Sequence, residues 1–269
     1  MIARRTFLSA VAAIPLAACA TSGLRASRGI LRVATFNIWH DMGDWGARLP
    51  LLLAALRAAD ADIIALQEVL EDAAKGLPNQ AGTIARALGN YAVHFVSTDP
   101  PGAPRRYGNA ILTRLPVFAV ETRKLEPLDD YRTAIRVRVQ AHGRLVDVVN
   151  THLAWQEDAG PVRARQVSDL FSWLPAPGAP LIVMGDFNAP LDDAGLAQLT
   201  APRFASALPH GSAVTTLNPA RKHPNRVIDH IFVERKWFDV GAARVIGNQP
   251  VNGEYPSDHF GVAATLGLR

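Results

Sequence analysis

Pro180-Leu181-Ile182-Val183-Met184-Gly185-Asp186-Phe187-Asn188-Ala189-Pro190 is the stretch on which the reading of this chain turns. An apolar run leads into a glycine, and two polar side chains follow at alternate positions. Residues two apart on a strand point to the same face. Asp186 and Asn188 therefore leave the end of a buried strand side by side. Pro190 stops the strand and suits the start of a helix. Gly, Asp and Asn are also turn formers. Taken alone, the stretch reads equally as a strand and turn, or as a carboxylate and an amide placed for chemistry.

Other stretches at strand ends carry similar groups. Thr35-Phe36-Asn37 closes a predicted strand at 31–38. Leu66-Gln67-Glu68-Val69 closes an apolar strand at 62–69, where a carboxylate is costly unless it reaches the surface or meets a cation. Asn150-Thr151-His152 puts Asn150 and His152 on one face of a strand at 144–152. A lone histidine there is as readily a satisfied core residue as a functional one. In Val227-Ile228-Asp229-His230-Ile231-Phe232-Val233, two polar residues interrupt a run that demands burial. A buried Asp229 needs a partner, and a histidine ring N–H is a good one. His230 points to the opposite face and reads as structural. Tyr255-Pro256-Ser257-Asp258-His259 adds an adjacent acid and histidine whose side chains diverge if the chain is extended.

Between these ends, apolar spacing predicts helices at 47–59, 80–88, 161–173 and 191–200. In the third, Val162, Val167, Leu170, Phe171 and Leu174 are expected to face inward. Further strands are predicted at 91–96, 108–113, 117–124, 132–140, 240–246 and 261–267. Ala141-His142-Gly143 looks like a hairpin link. The proline-rich segment 100–106 and the polar segment 202–226 read as loops. Many strands are apolar on both faces, so both faces must be covered. Two packed sheets with helices outside satisfy that requirement. Acidic, amide and histidine groups without cysteine suit Mg²⁺ or Mn²⁺ rather than structural zinc.

Seven motifs in order, spread over 31–267, resemble the endonuclease/exonuclease/phosphatase superfamily of metal-dependent phosphoesterases. Besides those above they include Gly108-Asn109-Ala110-Ile111-Leu112. The resemblance implies an α/β four-layer sandwich, with two facing mixed β-sheets flanked by helices and the site at one edge. It implies that Glu68 binds the metal, with Asn37 and Asp258 in or next to its shell. It implies that Asp186 orients or deprotonates water and that Asn188 stabilises the transition state. His259 would contact the phosphate, held charged by Asp229, with His152 as a second phosphate-facing histidine and Asn109 as a further contact. Trp39 stands where abasic-site repair members carry an acid, which argues against a repair nuclease.

The whole sequence has a hydrophobic content of 49% against 19% charged, which excludes a disordered chain. Its formal charge is +4. Setting Arg4 and Arg5 aside leaves 26 basic against 24 acidic residues, +2, which is weak support for a polyanionic partner. Arg4-Arg5-Thr6-Phe7-Leu8 and the apolar run to Ala18 resemble a twin-arginine export signal, although Ala3 replaces the usual Ser or Thr. Leu16-Ala17-Ala18-Cys19 resembles a lipoprotein box, so residues 1–19 are expected to direct export to the periplasm or cell envelope. Cys19, the only cysteine, is then a candidate lipid anchor. Residues 20–30 read as a tether, and residues 31–269 as one catalytic domain, expected to be a monomer.

The expected activity is phosphodiester or phosphomonoester hydrolysis by metal-assisted attack of water. Three alternatives stand beside it. An extracellular nuclease would use Arg105, Arg106, Arg221 and Lys222 on backbone phosphates, although those residues could equally form a solvated face. A sphingomyelinase-like phospholipid phosphodiesterase fits an envelope location but lacks a clear membrane hairpin. A non-catalytic binding protein would have lost catalytic positions, and none is missing.

Overall fold

The computed structural model describes residues 29–174 and 178–269. Arg4, Arg5 and Cys19, and with them the export and lipid-anchor expectations, lie outside the described residues.

Period-two patterning builds the core. Along β1 (Gly29–Asn37) and β2 (Ile63–Asp72), Leu31, Val33, Ile63 and Ala65 face one way, while Ala34, Phe36, Ile64 and Leu66 face the other. Both sets are apolar, so each sheet needs a cover on both sides. One sheet runs β11-β12-β1-β2-β4-β3, with β3 at Ala92–Ser97, β4 at Arg105–Thr113, β11 at Phe238–Ile246 and β12 at Gly261–Leu268. The other runs β5-β6-β7-β8-β10-β9. Its strands are β5 (Val117–Lys124), β6 (Thr133–Ala141), β7 (Arg144–His152), β8 (Leu181–Asp186), β9 (Phe204–Ser206) and β10 (Asp229–Glu234). The pairs β1–β2 and β7–β8 are parallel, and the remaining pairs are antiparallel, so both sheets are mixed.

The inner faces of the two sheets pack on each other through residues such as Val33, Ile111, Val137, Val148, Met184 and Ile231. Helices α1 (Trp45–Ala59) and α2 (Gln80–Leu88) cover the outer face of the first sheet. Helices α3 (Gly160–Trp173) and α4 (Ala197–Thr200) cover the second. This is the expected four-layer sandwich.

Local differences from expectation have physical causes. Strand β4 begins at Arg105, inside the proline-rich segment read as a loop, because Arg105 and Arg106 pair with Asp72 and Glu71 on the lengthened β2. The segment 202–226 contains the short strand β9, which pairs with β10. The helix expected at 191–200 is a 3₁₀ turn followed by the four-residue α4. On α3, Arg163 and Gln166 are buried beside Val167 and Leu170, while Val162 stays half-exposed. Both polar residues hold the chain that follows β7. Arg163 donates to the Ala154 and Gln156 carbonyls, and Gln166 accepts from the Ala154 N–H.

At one end of the sandwich the inner-face positions turn from apolar to polar. Gln67 and Glu68 together oppose Asn109, forming a bulge between the Leu66–Ala110 and Val69–Gly108 pairs. A bulge leaves ladder groups without strand partners. Asn150 reaches across from the facing sheet and supplies them. Its Nδ2 donates to the Leu66 and Ala110 carbonyls at 2.9 and 2.8 Å, and its Oδ1 accepts from Gln67 at 2.7 Å. Replacing Asn150 by Ala leaves these buried groups unpaired. We expect a stability loss of about 2–4 kcal/mol, measured by urea unfolding, and a wild-type midpoint would refute this tie.

Candidate active site

The bulge determines where Glu68 points. With φ of 58° it adopts a left-handed conformation unusual for a side chain of this kind. Its carboxylate leaves the ladder and accepts from Asn37 Nδ2 at 3.2 Å. The same Nδ2 donates to Asp186 Oδ2 at 2.9 Å, so one amide bridges the two acids. The oxygen of Asn37 accepts the Trp39 N–H at 3.0 Å.

Asp186 is the hub. Its Oδ1 accepts the Asn188 N–H at 2.9 Å, and its Oδ2 stands 3.4 Å from His152 Nε2 and 3.8 Å from His259 Nε2. Burial works to raise its pKa, but the histidines, Asn37 and the Asn188 N–H outweigh burial and hold it below the usual carboxylate range. Gly185 makes the approach possible. Its φ is +151°, and a Cβ there would lie 2.0 Å from the Thr151 carbonyl of β7. Asn188, itself at φ 51°, donates its side-chain amide to the Leu153 carbonyl at 3.0 Å.

The two histidines carry different charge. Burial, reinforced by Arg132, pushes His152 down to about 3, so its ring is neutral. Burial would also lower His259. There, however, Asp229 Oδ2 lies 3.0 Å from Nδ1, and Asp186 and Asp258 add negative charge, which raises the group well above its ordinary value. His259 is therefore the cation of the site. His230 faces away, as expected, against the Ala189 carbonyl at 2.9 Å.

Nine residues were expected in this site. Asn37, Glu68, His152, Asp186, Asn188, Asp229, Asp258 and His259 converge. The ninth, Asn109, is drawn into the wall, where its amide donates to the Thr133 carbonyl and hydroxyl at 3.1 and 3.2 Å.

The acids themselves fit a divalent cation. Glu68 is held above its usual range by burial first and the Asp258 charge second. No Lys or Arg among the described residues forms a salt bridge with either acid. Their ionic neighbours are histidines, His40 at 4.0 Å from Glu68 and His223 at 3.2 Å from Asp258. Two close carboxylates that no Lys or Arg among the described residues bridges suit a hard divalent ion. A second acid–histidine cluster, Asp186, Asp229 and His259, also brings ligand atoms within 4.8 Å of one another. We favour the Glu68–Asp258 position, because a protonated His259 has no lone pair on either ring nitrogen to offer a metal.

Sequence reasoning missed His40, Tyr107, Arg132 and His223. Arg132 is only 4% exposed. Its guanidinium has no hydrogen-bond or ion-pair partner among the described residues and lies 4.7 Å from the Tyr131 ring centroid. The His142-Gly143 hairpin turn could have located it. Ala134 pairs with Thr151, so the same register sets Arg132 across from Leu153, next to His152. The basic residues considered for nucleic acid are mostly paired. Arg106 bridges Glu71 at 3.1 Å, Arg221 bridges Glu254, and Arg105 stands 3.8 Å from Asp72. A roomier cleft of about 640 Å³, between Ser212–Thr215 and Tyr255, contains none of the catalytic candidates.

Comparison with known proteins agrees with this fold. The model of the Endonuclease/Exonuclease/phosphatase family matches residues 34–259. The human Nocturnin catalytic domain with bound sulfate is similar in structure, with TM-score 0.72 and 21% identity over 90% of this chain and 94% of that one. So is Danio rerio TDP2 complexed with a single-strand DNA product, with TM-score 0.72 and 19% identity over 88% of this chain and 98% of that one. A mannosyl-6-phosphatase from Bacteroides thetaiotaomicron gives TM-score 0.71 and 22% identity, covering 88% of this chain and 99% of that one. At these identities the likeness to solved structures is one of fold. No curated protein matches the sequence. The family match over most of the chain, together with the converging acids, amides and histidines, shows that this protein belongs to the Endonuclease/Exonuclease/phosphatase family, the divalent-metal-dependent hydrolases of phosphoester bonds.

Proposed function

We propose that this protein is an exported, Mg²⁺-dependent (or Mn²⁺-dependent) hydrolase of small phosphoesters. The observation that carries the chemistry is the buried, ionised Asp186 set between a neutral His152 and a cationic His259. Glu68 and Asp258 would hold the ion, with Asn37 beside them, and the bound ion would offset charge on a phosphoryl oxygen as a Lewis acid.

The rest of the work falls to the chain. Asp186 accepts a hydrogen bond from water and takes its proton as the water oxygen bonds to phosphorus. The bond from phosphorus to the ester oxygen breaks, and the departing alkoxide takes a proton from solvent. His259, held charged and oriented by Asp229, donates to a phosphoryl oxygen whose charge grows in the transition state. His152 and Asn188 add neutral donors on that oxygen's other sides.

The preference for a small substrate rests on charge. The basic residues available for a polynucleotide are mostly tied to carboxylates. The loops beside Arg132 and His152 carry Asp129, Asp130, Glu157 and Asp158. A phosphate polyanion would be repelled there. The mannosyl-6-phosphatase resemblance is in keeping with a small phosphoester, whereas the TDP2 complex shows that a relative of this fold handles a DNA product.

Purified protein should hydrolyse a generic aryl phosphodiester with Mg²⁺ and lose that activity in a chelator. Near-zero turnover under both conditions would refute the enzyme reading. Asp186→Ala and His259→Ala should each lower kcat by at least ~100-fold, the usual scale for a transition-state contact. Near-normal rates in either variant would remove that residue from the mechanism.

Export rests on the Arg4-Arg5 pair and the apolar run that follows it. A reporter joined after residue 30 should leave the cytoplasm. Arg4→Lys with Arg5→Lys should retain it inside, and unchanged export would exclude the twin-arginine route.

A further inference from the structure

We propose that a cleft beside the catalytic acids, walled by His40, Thr98, Asp99, Arg105, Tyr107 and Tyr131, is the subsite for the alcohol part of the substrate. The group it takes is a hydroxylated ring, either a sugar or the ribose of a nucleotide. This inference rests on the phosphoesterase reading above.

Position makes the first case. His40 Nε2 lies 4.0 Å from Glu68 Oε2. Tyr107 is close enough to Glu68 and Asp186 that their charges, after burial, help raise its phenol far above the ordinary range. A group esterified to a phosphate at Asp186 and His259 therefore has this cleft beside it. Its volume of about 360 Å³ is near the lower end of ligand pockets, roughly 300–1,000 Å³, which suits one ring and not a polymer.

Chemistry makes the second. His40 meets Tyr107 edge-on with centroids 5.8 Å apart, and Tyr107 meets Tyr131 in the same way at 6.4 Å. Tyr131 is half-exposed although the Arg132 guanidinium lies over its ring. It retains aromatic surface against which the C–H groups of a sugar ring can pack. Asp99 Oδ2 accepts from the Ser97 hydroxyl at 2.9 Å and the Tyr107 N–H at 3.1 Å, which sets the carboxylate in place. Its Oδ1 has no partner among the described residues. Arg105 lines the same cleft; its Nε stands nearest Asp72, at 3.8 Å, which leaves the terminal NH groups as donors. An acceptor and a donor together match adjacent hydroxyls. An acyl chain would leave both unpaired, and a second phosphate would meet Asp99. Behind Tyr131, the unpartnered charge of Arg132 favours an anion near His152, where the scissile phosphate belongs.

Calorimetry on protein carrying Asp186→Asn, in Mg²⁺, tests the subsite without turnover. The probes are glucose 6-phosphate, ribose 5-phosphate, AMP and ethyl phosphate. At least one ring phosphate should bind about tenfold more tightly than ethyl phosphate, and adding Tyr131→Ala or Asp99→Asn should shrink the gap to less than ~3-fold. Comparing the three ring probes separates a free sugar from a nucleotide. Equal affinity for ring and ethyl phosphates, or a gap that survives both substitutions, would overturn the proposal. Aryl phosphodiester turnover by the unaltered protein is followed in parallel. If it is absent while the ring preference persists, the phosphoesterase reading fails and the subsite stands.

Discussion

The bulge at Gln67 and Glu68, held by Asn150 from the opposite sheet, is the constraint on which the site depends. A regular strand would send Gln67 inward and Glu68 to the helix-covered face. The extra residue redirects Glu68 toward Asn37 and Asp186. It also leaves backbone carbonyls that only a donor from outside the sheet can satisfy. Asn150 supplies that donor, so the two sheets cannot slide past each other without exposing buried polar groups. Asn109 and Thr133 form a second polar tie across the same gap.

Around that frame, burial sorts the ionisable groups by their neighbours. Desolvation acts on all of them, and the local partners decide the result. Asp186 gains enough donors and positive charge to stay ionised. His152, faced by Arg132, loses its proton, whereas His259, faced by Asp229 and Asp186, keeps its own. Two histidines of the same strand-end type thus become a neutral group and a cation. Such separation of paired groups is how a fold assigns acid and base roles. Glu68 and Asp258, bridged among the described residues only by histidines, retain the electrostatic need that a divalent ion meets.

Much of this was legible in residue order. Alternation along β8 predicted that Asp186 and Asn188 would leave the strand side by side, and the Asn188 N–H donates to Asp186 Oδ1 at 2.9 Å. The interruption of an apolar run at Asp229 predicted a buried acid with a histidine partner, which His259 supplies. Residues that serve through register or loop approach were less visible. Arg132 looked like an ordinary strand-opening charge, and Tyr107 followed a segment read as loop. His40 and His223 lie on connections whose paths no periodicity describes. The basic pairs Arg105-Arg106 and Arg221-Lys222 could be seen, but not that Arg105, Arg106 and Arg221 sit against carboxylates.

The sequence alone determined the layers and the chemistry available at their edge. Period-two apolar runs require sheets covered on both sides, and polar residues at strand ends collect where those runs stop. Only the tertiary structure decided which polar groups meet. Asn37 lies 149 residues from the Asp186 it binds, and His259 lies 30 residues from Asp229. The charge each group carries follows from those meetings, because a buried side chain keeps or loses its proton according to what stands within a few ångströms of it.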